Sequence, residues 1–200
     1  MAVRFDHAAV AAGDLAAAAA WARAALGVAL PSGGRHPEMA THNLLTATGP
    51  DSFLEAIAPD PDGPPPGRAR WFGLDDPAVG ARLAAGPRPH AVVLRADDLD
   101  AALAAARGAG VDLGVPVRVS RGDLAWRFAV RPDGAVALGG AAPQLMAWPD
   151  GPHPAGRMQD LGLRYRAVEM RTPQAGALSR LLAALGAADA MTVTEAEETL

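Results

Sequence analysis

The 200-residue chain contains no cysteine. Disulfides, thiolate nucleophiles, cysteine-held iron–sulfur clusters and cysteine-type structural zinc are therefore excluded, and any metal ion must be held by His, carboxylate, amide or water. Aromatic residues are scarce, at 4%, so large core side chains are few. Alanine instead dominates the apolar half of the composition and favours helices. No apolar run approaches the roughly 20 residues of a membrane-spanning helix, and the N-terminal Met1-Ala2-Val3-Arg4-Phe5-Asp6 lacks a basic segment followed by an apolar one. A soluble, cytoplasmic protein is expected. The formal charge is -4 with the basic residues scattered, which gives no footprint for phosphate backbones; neither nucleic acid nor a membrane is expected as a partner. There is no Gly-x-Ser-x-Gly, no Gly-x-x-x-x-Gly-Lys and no dinucleotide fingerprint after a strand, so serine hydrolase, P-loop and Rossmann readings fall away.

What is present is a repeating order of elements. Residues 4–12 form an apolar, extended segment, Asp14 suits a helix N-cap and Gly27 a left-handed C-terminal position, so a strand and then a helix are expected. Residues 31–37 carry two glycines and two prolines and read as a loop, followed by short strands at 43–47 and 52–58 around Thr48-Gly49-Pro50-Asp51. The Pro/Gly-rich residues 59–67 read as surface loop. The pattern returns with a strand at 90–96, a helix capped by Asp97-Asp98 and ended by Gly108 and Gly110, and strands at 115–120, 124–130 and 144–148. A third strand and helix fall at 163–171 and 178–185, with Pro173 in a first helical turn and Gly186 as cap.

The first two copies end in similar words, Phe53-Leu54-Glu55-Ala56-Ile57-Ala58-Pro59-Asp60 and Gln144-Leu145-Met146-Ala147-Trp148-Pro149-Asp150. A duplicated βαβββ unit explains this. The expected organisation is a first module at 1–62, a linker at 63–87, a second module at 88–150 and a strand-helix extension at 151–200. The fold class is α+β, with paired modules forming a curved mixed sheet around a concave cup.

Candidate functional residues sit on those strands. Period-two alternation groups His7 with Phe5, Ala9 and Ala11 on one face. Glu55, between Phe53 and Ile57, is costly to bury without a partner, and His7 is a candidate. A functional site and a hydrogen-bonded structural pair both satisfy that need. His90 opens the strand that duplicates the His7 strand, but counting back seven residues from Asp98, as His7 stands to Asp14, lands on Ala91, so His90 fits only through Asp97 or a one-residue bulge. Gln144 is the oxygen donor of its strand. The segment containing Arg35, His36, His42 and Asn43 suits a pocket rim, though an exposed polar loop has the same composition; His36 and His42 could each act as acid or base. Arg121, Trp126 and Arg127 lie on the corresponding strands of the second module, where the arginines could hold a carboxylate. His153, in Gly151-Pro152-His153-Pro154, carries no catalytic expectation.

The words Phe5-Asp6-His7, residues 34–43, residues 53–58 and residues 150–157 resemble the glyoxalase-like domain family of the vicinal oxygen chelate superfamily, over nearly the whole chain. That family's loop usually has Gly where Ala40 stands. The resemblance implies metal or small-molecule binding at the cup, with His7, Glu55, His90 and Gln144 at the metal-ligand positions. It leaves two readings. One is a lyase or isomerase acting on a small carbonyl or carboxylate metabolite, with Glu55, His36 and His42 in catalysis and a divalent zinc, nickel, manganese or iron ion as Lewis acid. The other is a metal-free binding protein of the bleomycin-resistance type. A small molecule is the expected ligand, and a homodimer, with the third strand-helix unit covering an open sheet edge, is a further expectation.

Overall fold

The structure is a computed structural model and describes residues 2–122 and 124–198. The first module comprises β1 (Val3–Ala11), α1 (Leu15–Leu26), β2 (Ser32–His36), β3 (Thr41–Gly49) and β4 (Ser52–Pro59); α2 (Pro77–Ala84) follows it. The second comprises β5 (Arg88–Ala96), α3 (Leu99–Gly108), β6 (Val115–Arg121), β7 (Leu124–Val130) and β8 (Gln144–Ala147). The eight strands form one mixed sheet in the order β2-β3-β4-β1-β5-β8-β7-β6. Within each module the first and last strands pair in parallel, and the modules join through the antiparallel pair β1 and β5. The sheet curves until its two ends meet: Ser120, on β6, donates from its backbone N–H and its hydroxyl to Glu38 Oε1, at 3.2 and 2.9 Å, just beyond β2.

Local chemistry explains the helices. Asp14 accepts from the Ala17 N–H at 2.7 Å and Gly27 closes α1 in the left-handed region, at φ 70°. Asp98 does the same for α3 through the Ala101 N–H. Alanine lets both helices lie close on the outer face of the sheet, with Ala18, Ala22, Ala102 and Ala106 fully buried there.

Three expectations need correction. Residues 32–36 are a strand, β2, and not a loop. Its glycines make room inside the cup: a Cβ on Gly33 would collide with Asn43 and Leu45, and one on Gly34 would lie 2.5 Å from Arg121 Cδ. Second, the stretch read as linker contains α2, capped by Asp76 with Pro77 in its first turn. Third, the C-terminal strand is shorter than the 163–171 expected. β9 (Glu169–Thr172), α4 (Ala175–Ala184) and β10 (Thr192–Glu195) follow in order, and β9 and β10 pair with each other in a separate parallel ribbon. Leu178, Leu181, Leu182 and Leu185 pack on the α3 side of the second module, while the residues before β9 run along the half of β3 that β2 leaves open, where the Ala47 N–H donates to the Gln159 carbonyl and the Tyr165 N–H to the Thr48 carbonyl, both at 3.2 Å. Among the described residues no helix is long and apolar enough to cross a membrane.

Ala40 adopts the left-handed conformation, φ 44° and ψ 52°, between the 3-10 turn Pro37–Met39 and β3. A side chain there costs about 1 kcal/mol or slightly more. Ala40→Gly is therefore expected to raise stability by about 1 kcal/mol, read as a higher urea midpoint; a lower midpoint would show that packing of the buried Ala40 methyl outweighs the strain.

Candidate functional site

The interior of the cup holds a narrow cavity of about 30 Å³. A polar line crosses it from β1 to β6. It begins at Asp6, fully buried where the β1–β5 register shifts between Phe5 and His7. That bulge sends Phe5 outward to stack on Tyr165, at 3.8 Å, while His7 stays inside with Ala9 and Ala11; the expected grouping of Phe5 with His7 is thereby corrected. His7 Nδ1–H donates to Asp6 Oδ1 at 2.7 Å, its ring stacks on Phe53, and its Nε2 lies 3.6 Å from Glu55 Oε2 as an ion pair. Glu55 Oε1 accepts from Asn43 Nδ2 at 2.5 Å, and Asn43 Oδ1 accepts from Arg121 at 3.4 Å.

The charges along this line follow from burial and contact. Burial, the largest single influence on His7, opposes its protonation, but the Asp6 hydrogen bond and the neighbouring Glu55 together outweigh it and raise the pKa to about 9. Burial likewise disfavours the Glu55 carboxylate, yet His7, His36 and Asn43 hold its pKa below the ordinary value. Asp6 is held down against its own burial by His153 and His7. At neutral pH the line therefore reads carboxylate, imidazolium, carboxylate, amide, guanidinium. His36 is different: burial alone is its largest influence and lowers its pKa to about 4, so it is a neutral ring, bonded through Nδ1 to Thr41 Oγ1 at 3.1 Å.

These shifts predict a stability profile. The folded pKa of His7 lies above its ordinary 6.5, so its contribution is complete below pH 6.5 and is lost as the pH rises through about 9. The folded pKa of His36 lies below 6.5, so the unfolded chain takes up that proton first and stability declines as the pH falls from 6.5 toward 4. Asp6 and Glu55, both lowered, add to the loss in acid. Thermal melts across this range are expected to peak near pH 6.5; a flat profile from there to pH 9 would contradict a protonated His7.

Of the residues singled out from sequence, His7, His36, Asn43, Glu55, Arg121 and Trp126 line the cavity. The others are elsewhere. Arg35 pairs with Asp60 and Asp62, at 3.0 and 3.3 Å, and His42 Nδ1 lies 3.9 Å from Asp60. Arg127 forms a two-pronged pair with Asp100 of α3, both contacts 2.9 Å, at an exposed position. Gln144 is buried opposite Val93, its Nε2 without a partner among the described residues, and does not line the cavity. His90 sits where the register shifts between Ala9↔Ala91 and Val10↔Pro89, so the bulge exists, but its Nε2–H donates to the Phe72 carbonyl at 2.7 Å.

Sequence reasoning missed Asp6 and His153. His153 Nε2–H donates to Asp6 Oδ2 at 2.9 Å and its Nδ1 accepts from the Ala155 N–H, while Trp148 Nε1–H donates to the same Asp6 oxygen at 2.8 Å. The segment after β8 is thus tied to the carboxylate that orients His7, and its Met158 closes one side of the cavity. Asp6 stands next to His7 in the chain, which is the one signal that pointed to it.

The family's usual metal does not fit these donors. Only His7 and Glu55, of the four expected ligands, meet inside the cup, and no group of three His, Asp or Glu residues is arranged for a metal ion among the described residues.

Residues 5–186 match the sequence profile of a family described as glyoxalase-like domain. No curated protein gives a significant match. Among solved structures, a hypothetical protein from Staphylococcus aureus superposes with a TM-score of 0.67 at 13% identity, over 100% of this chain and 88% of that one, and so shares the fold. A methylmalonyl-CoA epimerase in complex with methylmalonyl-CoA and NH4+ superposes with a TM-score of 0.49 at 24% identity, over 77% of this chain and 100% of that one. Methylmalonyl-CoA epimerase from Mycobacterium tuberculosis gives 0.43 at 23% identity, over 74% and 89%.

Proposed function

This chain belongs to the glyoxalase-like domain family, and from that premise we propose that its cup binds a small oxygenated metabolite, a carboxylate, without a metal ion. The observation that carries this reading is Arg121. Its guanidinium lines a largely apolar cavity, partly buried, and its one hydrogen bond among the described residues is the long contact to Asn43. Burial pushes its pKa down, and the nearby charge of Glu55 opposes that without forming an ion pair. A partly desolvated guanidinium with open donors is a site for a planar anion.

The test is calorimetric titration of chelator-treated protein with short carboxylic acids and their neutral amides. The acids are expected to bind at least about thirtyfold more tightly than the amides, as a charge-assisted contact requires. Equal affinity for acid and amide would overturn the proposal.

A second reading, a lyase or isomerase, is favoured by the buried Glu55 carboxylate facing the cavity. Glu55 would take the proton from a carbon next to a carbonyl, with Arg121 holding the enolate oxygen, and would return a proton to that carbon, so that its hydrogen exchanges with solvent. The lowered pKa of Glu55 makes it a weak base while the cup is empty, which places binding ahead of catalysis. Glu55→Gln discriminates: under the second reading it abolishes deuterium uptake from heavy water into a bound carbonyl acid while the acid still binds, and absence of uptake by the unaltered protein would remove this reading.

A further inference from the structure

The chain has four Trp, four Phe and one Tyr in 200 residues. Six of these nine surround one cavity: Phe53, Trp71, Phe72, Trp126, Phe128 and Trp148. They come from β4, β7, the end of β8 and the 3-10 turn Trp71–Gly73, so no single element's packing accounts for the grouping. The two cores between sheet and helices are filled by Ala, Leu, Val and Met, with no fully buried aromatic side chain in either. Each of those cores has a single partly buried ring packed against it, Phe5 and Trp21 respectively, and the cup is where the flat rings are concentrated.

The rings are also held at a cost. Phe72 has a left-handed backbone, φ 60°, strained for a bulky side chain, and the His90 hydrogen bond to its carbonyl fixes it there. Trp71 is 3% exposed and its Nε1–H, buried, has no partner among the described residues; an unpaired donor of this kind is satisfied when an acceptor enters. Trp126 and Trp148 stand 5.4 Å apart at 47°, Trp71 and Phe128 5.1 Å apart at 57°, so the walls present both faces and edges.

Aromatic walls also suit cations, but this cup already contains the Arg121 guanidinium, and its one lining carboxylate among the described residues, Glu55, is engaged by His7 and Asn43. A second cation would be repelled. We infer that the ligand is a planar aromatic carboxylate, its ring held among these side chains and its carboxylate at Arg121. The inference rests on the carboxylate reading above and adds the ring.

The experiment titrates the full chain with three matched probes, benzoate, cyclohexanecarboxylate and benzamide, followed by calorimetry and by tryptophan fluorescence. Benzoate is expected to bind most tightly and to change the fluorescence, cyclohexanecarboxylate about five- to tenfold more weakly, and benzamide at least about thirtyfold more weakly. Trp126→Leu is expected to lower benzoate affinity by about the same five- to tenfold and leave cyclohexanecarboxylate unchanged, which loss of folding would not do. Cyclohexanecarboxylate equal to or tighter than benzoate would overturn the ring inference and leave the carboxylate reading standing. Benzamide equal to benzoate would overturn the carboxylate reading, and saturable binding by none of the three would overturn both.

Discussion

Replacing Arg121 with leucine is expected to weaken carboxylate binding by roughly thirty- to hundredfold, about 2–3 kcal/mol, the size of a charge-assisted hydrogen-bonded pair in a desolvated setting. The guanidinium reaches the cup from the last residue of β6, at the nearly closed seam where β6 faces β2, and Gly34 leaves the space its side chain occupies. Among the described residues it donates only to Asn43, at 3.4 Å. Stability should therefore change by less than about 1 kcal/mol, since little is left unpaired when it goes. Arg121→Lys keeps the charge but loses the planar fork, and intermediate affinity is expected. Calorimetry with the three proteins reads both quantities; an Arg121→Leu variant that unfolds, or one that binds carboxylates as before, would move the anion site elsewhere.

Asp6→Ala is expected to be the most destabilising single change in the cup, by about 3–5 kcal/mol, or a fall in melting temperature of about 10 °C for a chain of this length. The carboxylate is fully buried and accepts from His7, Trp148 and His153. Arg95 stands a further 3.7 Å away. Removing it leaves an imidazolium and two ring N–H donors without their acceptor in a low-dielectric interior. Asp6→Asn keeps the shape and one acceptor but not the charge, and about half that loss is expected. A cost below about 1 kcal/mol for Asp6→Ala would show that water reaches His7, Trp148 and His153 and replaces the carboxylate.

The architecture was legible because its signals are local and repeated. The caps Asp14 and Asp98, the glycine after α1, and the similar words of residues 53–60 and 144–150 mark two copies of one unit, and the paired modules are what the curved sheet contains. β2 escaped because a strand with Gly33 and Gly34 is written in loop composition; the reason for those glycines, room for Asn43, Leu45 and Arg121, is a tertiary fact. α2 escaped because eight residues beginning at a proline carry too little periodicity.

The site shows a sharper limit. Sequence reading marked three neighbouring pairs, Arg35 with His36, His42 with Asn43, and Trp126 with Arg127. In each pair one member lines the cavity and the other faces away, to Asp60, Asp60 and Asp100 respectively. Alternation requires that split, but which member falls inside depends on register, and register here is set by bulges. The shift at Asp6 keeps His7 in the cup, and the shift at His90 takes that ring to Phe72. No residue type announces either bulge, so strands could be named while the facing of individual side chains could not.

Elemental analysis of the purified protein, as isolated and after chelation and reloading with zinc, nickel, manganese and iron, combined with carboxylate titration of each preparation, tests the metal-free cup most directly. No stoichiometric metal in any preparation, with the same carboxylate affinity throughout, is the result expected. One metal ion per chain that is lost in His7→Ala and Glu55→Gln, and without which carboxylates no longer bind, would contradict it.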